Sequence, residues 1–287
     1  MSVARAESRA TRVLVMSSKA GSMNADVEKK LRKAFADFTI LEFDPDEDLS
    51  QLMSPQARLV VAGGDGTVEF MVRKFADTQH PIGIVPLGTY NNLAHALGLA
   101  DDLDRAIDIA RNGRPKPITL GRVNDHIFVE ACAIGLLGET IVLGDAAKDH
   151  AFGKLNERLK SVLSARRFRY EISGDFDGKG SAMSLVFSNT GSIGSQLQIA
   201  DTSPIHPYLE FSVQAGSTRL DIARRALVAA VLRKHQPTAS AEQVIKFTKL
   251  VIKTTPRVRV YADNFQVGRT PATVVAETSA LKMMLPA

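Results

Sequence analysis

The chain has 287 residues, enough for two domains of ordinary size, and its 45% hydrophobic content can bury a core in each. No run approaches the ~20 apolar residues that a bilayer-spanning helix needs, residues 1–10 are polar with no apolar signal core, and a single cysteine excludes an internal disulfide framework, so a cytosolic protein is expected. The net charge of +5 suits an anionic membrane surface, a nucleic acid or an anionic small molecule; with no recognisable binding module and only 6% aromatic residues, nucleic acid is the weakest of the three.

Short apolar runs and helical stretches alternate from Arg12 to about Lys116. Strands are predicted at 13–16, 39–43, 59–62 and 82–85, and helices at 25–38, from Thr67 and from Asn91. Such alternation implies a doubly wound parallel sheet, whose ligands sit beyond the carboxyl ends of the strands. The loop Pro45-Asp46-Glu47-Asp48 reads as a solvated acidic turn. At the end of the third strand stands Gly63-Gly64-Asp65-Gly66-Thr67. Its glycines let backbone N–H groups approach an anion, and the following helix aims its positive end at the same place. One unit later, Leu87-Gly88-Thr89-Tyr90-Asn91 repeats the strand, turn and helix pattern. Thr89 and Asn91 have the chemistry either to cap the next helix or to hydrogen-bond a phosphate.

Beyond Arg111-Asn112-Gly113-Arg114-Pro115 the texture changes. Strands separated by turns are predicted at 118–123, 127–134, 168–173, 182–187, 209–213, 258–262, 272–276 and 281–285, which reads as a mainly antiparallel domain. Cys132, between Ala131 and Ala133, reads as a small core side chain. Basic amphipathic helices are expected at 148–164, followed by Arg166, Arg167 and Arg169, and at 219–235, capped by Ser217-Thr218. Solvated faces or apposition to anionic lipid would both suit them.

The Gly63–Thr67 run and Pro86-Leu87-Gly88-Thr89-Tyr90-Asn91, at this spacing, resemble the signatures of the diacylglycerol kinase catalytic-domain family, which includes bacterial lipid kinases, sphingosine kinases and ceramide kinases. Lys19-Ala20-Gly21-Ser22, Leu120-Gly121-Arg122-Val123 and the terminal Ala280-Leu281 with Leu285-Pro286 extend the resemblance over nearly the whole chain. It implies a nucleotide-binding α/β domain over residues 1–116, then a β-sandwich lipid-substrate domain over 117–287, completed by C-terminal residues packing back on the first domain. It further implies ATP-dependent phosphorylation of a lipid alcohol, with Mg2+ entering with the nucleotide, at a peripheral contact with an anionic membrane surface. Asp65 would be catalytic; Lys19, Gly63, Gly64, Gly66, Thr67, Gly88, Thr89 and Asn91 would bind the nucleotide; a protein-held metal has no assigned ligands.

The chain also departs from the family pattern. Asn92 and Thr119 stand where members often carry Asp, and His95 where they carry Arg. The family's Asp-Gly-x-Leu element appears as His206-Pro207-Tyr208-Leu209, and its late Asp-Gly-Glu as Asp263-Asn264-Phe265, so the Glu that would activate the acceptor is absent. The joint loss suggests an alternative hydrogen-bonded network. Asp65 must then carry more of the work, with Asp263 or His206 as candidate helpers. A catalytically silent relative that binds nucleotide or lipid is the competing reading.

Overall fold

The computed structural model describes residues 10–49, 53–99, 102–141, 166–193, 197–198, 201–214 and 244–287; the helices expected at 148–164 and 219–235 lie outside them. The apolar runs of the first third form β1 (Ala10–Met16), β2 (Thr39–Glu42), β3 (Met53–Gly63) and β4 (Pro81–Pro86), all parallel, in the order β2-β1-β3-β4. Val13 to Met16 and Leu59 to Ala62 are buried on both faces, as a covered parallel sheet requires. Helices α1 (Ala25–Ala34), α2 (Asp65–Phe75), α3 (Asn92–Ala96) and α4 (Leu103–Asn112) follow the strands. Leu14, Val60 and Val85 share one core with Leu31 of α1, Phe35 at its C-terminal end, and Ile107 and Ala110 of α4, while α2 packs on β3 and β4. Side-chain caps start α1 and α4, where Val27 N donates to Asn24 Oδ1 at 3.0 Å and Arg105 N to Asp102 Oδ1 at 2.7 Å.

Three boundaries near the loops differ from the sequence expectation. α1 ends at Ala34 rather than 38, and Phe35 and Phe38 leave the helix to pack edge to face, 5.0 Å apart. α2 begins at Asp65 rather than Thr67, because Gly64 is extended (φ −82°, ψ 177°) and already serves as the N-cap. α3 begins after Asn91, whose left-handed backbone (φ 51°) cannot join the helix.

The chain divides into two compact units, Met1–Ile118 with Ser279–Ala287, and Thr119–Thr278. In the second, β7 (Ala131–Gly135), β10 (Ser184–Ser188), β13 (Leu209–Gln214), β14 (Val244–Phe247), β16 (Arg259–Ala262) and β17 (Phe265–Arg269) form an antiparallel sheet in the order β14-β13-β10-β7-β16-β17. A second antiparallel layer runs through β8 (Phe168–Gly174), β9 (Gly178–Ala182), β15 (Lys249–Thr255) and the start of β18 (Ala272–Leu285). Phe187, Phe211 and Phe247 of one layer meet Ile172, Leu250 and Val274 of the other in a single core. The fold is thus an α/β domain with a doubly wound parallel sheet followed by an antiparallel β-sandwich.

β5 (Arg114–Val123) and β6 (His126–Phe128) pair as a hairpin, and β11 (Ser192–Ile193) with β12 (Leu197–Gln198) forms a small ribbon. The run predicted at 127–134 is broken between β6 and β7, and the run at 182–187 between β9 and β10, where the chain changes sheet partners. In the other direction, the strands predicted at 272–276 and 281–285 are one strand, β18, with Ser279 at φ 62° inside it. Its last residues pair in parallel with β4, Met283 opposite Ile82. Cys132 is fully buried, and desolvation together with the charge of Asp263 pushes its thiol up, far from a thiolate nucleophile.

Candidate functional site

The strand order reverses between β1 and β3, and loops leaving the carboxyl ends of strands at such a reversal gather in one place. Here the backbone ties them together. Ser17 N donates to Ala62 O at 2.9 Å, joining the first loop to β3; Ser22 N donates to Leu87 O at 2.9 Å, joining it to the third; Leu87 N donates to Gly63 O at 2.8 Å, joining the third to the second. The glycines set how near they come. A Cβ on Gly88 would lie 2.7 Å from Asn91 Oδ1 and 2.9 Å from both Asp65 Oδ2 and the Gly64 Cα, and a Cβ on Gly63 would lie 2.9 Å from the Thr67 side chain. Such contacts are below van der Waals separation, so glycine is required at both positions.

Asp65 stands at the centre of this arrangement. It is half-buried in the first turn of α2, where the helix dipole favours an acid. Its Oδ1 accepts the Asn92 N–H at 2.8 Å, capping α3 from 27 residues away. Among the described residues its Oδ2 has no hydrogen-bond partner. Of the two roles its chemistry allows, Asn91 does not fill the first: its side chain makes no cap on α3. It clamps the Gly88 turn instead, its Oδ1 accepting from Gly88 N at 2.8 Å and its Nδ2 donating to Gly88 O at 3.1 Å. The structural reason is that Asn91's positive φ turns its side chain back on the loop while Asp65 already occupies the helix end.

α2 has no side-chain cap, which leaves the N–H groups of its first turn to an outside acceptor. Gly66, in that turn, is exposed, and a Cβ there would meet nothing within 4 Å. Neither backbone strain nor packing accounts for glycine at 66, and the backbone there is open to solvent. Lys19 is exposed in the turn after β1, and Thr89 is exposed above Gly21, where a Cβ would come within 3.4 Å of the Thr89 hydroxyl. All nine residues singled out from sequence therefore lie in or beside this loop cluster. The backbone clasp of Ser22 on Leu87 is not legible in the Lys19–Ser22 element alone, whereas the absence of Ser, Thr, Asn or Asp before Asp65 signals the uncapped start of α2.

Residues 14–123 match the sequence profile of the diacylglycerol kinase catalytic domain. This segment belongs to the diacylglycerol kinase catalytic-domain family. The chain is 31% identical over 155 residues to the diacylglycerol kinase of Bacillus subtilis (strain 168), a match covering 52% of this chain and 51% of that protein, about half its length. A longer match, 26% identical over 237 residues, covers 79% of this chain and 76% of a Staphylococcus aureus (strain bovine RF122 / ET3-1) protein whose name places it provisionally among lipid kinases. The crystal structure of a diacylglycerol kinase from Bacillus anthracis str. Sterne superposes with a TM-score of 0.66 over 97% of this chain and 98% of its own, at 17% identity, a likeness of fold.

Of the positions where this chain departs from the family pattern, Thr119 and His206 take part in structural contacts. Thr119, buried, donates its hydroxyl to His206 O at 2.7 Å and its N–H to Pro204 O at 2.7 Å, so β5 holds the 203–206 turn by direct hydrogen bonds. The ring of His206 stacks on Tyr208, centroids 4.9 Å apart, and its Nδ1 is buried without a partner among the described residues. Asp263 is 3% exposed and accepts N–H groups from Val129 at 2.9 Å, Glu130 at 2.8 Å and Ala131 at 3.2 Å. Successive N–H groups of a strand point to opposite sides; three aimed at one carboxylate force the break between β6 and β7. Phe265 is 55% exposed at the hairpin and offers no acceptor. Among the described residues no three His, Cys, Asp or Glu side chains come together in a metal-holding group, and no helix is long and apolar enough to cross a membrane.

Proposed function

We propose that the chain is an ATP-dependent lipid kinase that transfers a phosphoryl group to the hydroxyl of a lipid alcohol such as diacylglycerol, ceramide or a sphingoid base. The observation that carries this reading is the clasp of three strand-end loops around Asp65 and the uncapped start of α2. Phosphoryl transfer asks a protein to hold the nucleotide, neutralise its charge and align an acceptor. The first-turn N–H groups of α2, with Gly63, Gly64, Gly66 and Gly88 keeping side chains away, suit a polyphosphate; Lys19 adds a point charge, and Thr67, Thr89 and Asn91 add polar groups. Asp65 relieves the acceptor hydroxyl of its proton or orients the nucleotide through its Oδ2.

The donor set of the three loops is one aspartate with hydroxyls and backbone groups, which fits Mg2+ held mainly through nucleotide phosphates rather than a protein cage. If bound with the nucleotide, such an ion would supply neutralisation of phosphate charge, with Asp65 and the Thr67 and Thr89 hydroxyls as the nearby oxygen groups. Peripheral contact with an anionic membrane surface is supported by the basic net charge and by the exposed side chains of Ile205 and Phe265. The engagement of Asp263 by three backbone donors, with Phe265 beside it, favours the second reading, a relative that binds nucleotide or lipid without turnover.

Transfer of radiolabelled phosphate from ATP across a panel of lipid alcohols, with Asp65→Asn as control, separates the two. Labelled lipid that depends on Asp65 supports the kinase. Nucleotide binding without product from any lipid leaves the binding protein.

A further inference from the structure

Within Thr119–Thr278, strand ends from both layers surround a cavity of about 500 Å3 into which five arginines project, Arg166, Arg167, Arg257, Arg259 and Arg269. Glu139 is the one carboxylate among the described lining residues, and it pairs with Arg259 at 2.9 Å. Like charges normally spread into water, and facing ones destabilise a sheet. Here Arg259 and Arg269 are direct cross-strand partners on β16 and β17. The fold holds them there. Arg257 Nε donates to Thr270 O at 2.6 Å, Val258 N donates to the fully buried Thr270 hydroxyl at 3.0 Å, and Arg269 Nη1 donates to Arg257 O at 3.3 Å.

The cavity has a buried apolar lining as well, from Leu136, Phe168 and Met183. Gly135, at φ 97°, keeps that side open: a Cβ there would lie 2.5 Å from Met183 O and 2.8 Å from the Phe168 ring. Volumes of this order hold an organic ligand rather than a lone ion, and planar guanidinium forks match phosphate oxygens two at a time. Gly135 ends β7 at the cavity, whereas Asp263 N bonds Ala131 O at the strand's other end. None of the cavity's residues belongs to the loops after β1, β3 and β4.

We propose that this cavity is a second ligand site, taking an organic phosphate whose phosphate meets the arginines and whose apolar body meets Leu136, Phe168 and Met183. Calorimetric titration of the full chain with monomeric short-chain phosphatidic acid, and separately with inorganic pyrophosphate, tests this against R257Q/R269Q. Affinity for at least one probe should fall about tenfold or more, the loss expected for a charge-assisted hydrogen bond, while ATP affinity stays unchanged. Wild-type binding should weaken with added salt, and R257K/R269K should recover part of it. An arginine-dependent response to phosphatidic acid marks a lipid phosphate as the ligand; one to pyrophosphate alone marks free phosphate as the source. If R257Q/R269Q loses its thermal unfolding transition, R166Q, at an exposed position, is read instead in the same direction. Wild-type protein that binds neither probe, or folded variants that bind both as tightly as wild type, overturns the proposal. Because ATP is titrated separately, failure of the nucleotide site and failure of this cavity give different results.

Discussion

Asp65 and Asp263 are both aspartates that accept backbone N–H groups from distant segments, yet they serve different ends. Asp263 is buried and receives three N–H groups from consecutive residues, so its oxygens belong to the fold. Asp65 is half-buried, receives one, and stands beside glycines that clear space for something else. The same side chain is thus consumed by the fold or left with a free oxygen according to how many local donors surround it. The late carboxylate is scaffold, and under the proposed function the chemistry then falls to Asp65 of the first unit.

Replacing Asp65 with Asn sharpens that contrast most. The amide oxygen can still accept the Asn92 N–H, so the unfolding midpoint should stay near wild type, while turnover falls about 10²–10⁴-fold with loss of the carboxylate. Retention of most lipid phosphorylation would remove Asp65 from the chemistry. Asp263→Ala should do the reverse. Three buried N–H groups lose their acceptor, a cost of roughly 3 kcal/mol or more in denaturant unfolding; a change below about 1 kcal/mol would show that the β6–β7 break does not depend on it.

Gly66→Ala and Gly88→Ala form a smaller test of the open and closed sides of the loops. At 66 a methyl meets nothing and alanine favours the helix, so stability should rise by up to about 1 kcal/mol while ATP affinity drops. At 88 the methyl would press on Asp65, Asn91 and Gly64, and stability and activity should fall together. Equal ATP affinity in wild type and Gly66→Ala would mean that the nucleotide does not approach that backbone.

The smallest effect concerns a third aspartate, exposed Asp175. Backbone and hydroxyl donors of Thr248, with Lys249 N, hold its carboxyl below the ordinary value of 3.8. A lowered folded value means its stabilising contribution is complete above the ordinary value and disappears as pH falls below it through the folded one. The stability difference between wild type and Asp175→Ala should therefore be small at neutral pH and vanish in acid. A difference that grows on acidification would refute the assignment.

Much of the first unit is written locally. Its strands are apolar runs, and motifs such as Gly63–Thr67 specify backbone geometry within a few residues, so the strands and the loops that end them are legible in order. β15 is hard to read because its apolar run, Leu250-Val251-Ile252, is only three residues long and is flanked by Lys249 and Lys253, which resemble loop sequence. β18 was divided because Glu277-Thr278-Ser279 looks like a turn, yet pairing partners at both ends keep it one strand.

By itself the sequence determined the alternation of elements, the two architectures and the chemistry available at each loop, since these depend on side-chain period and on neighbours a few residues away. Tertiary structure alone decided that Gly64 meets Gly88, that Asp65 rather than Asn91 caps α3, that Asp263 closes on residues 129–131, and that arginines from three separate segments share one cavity. Those outcomes depend on which distant backbone donors and charges are brought within hydrogen-bond reach, and sequence spacing carries no record of that distance.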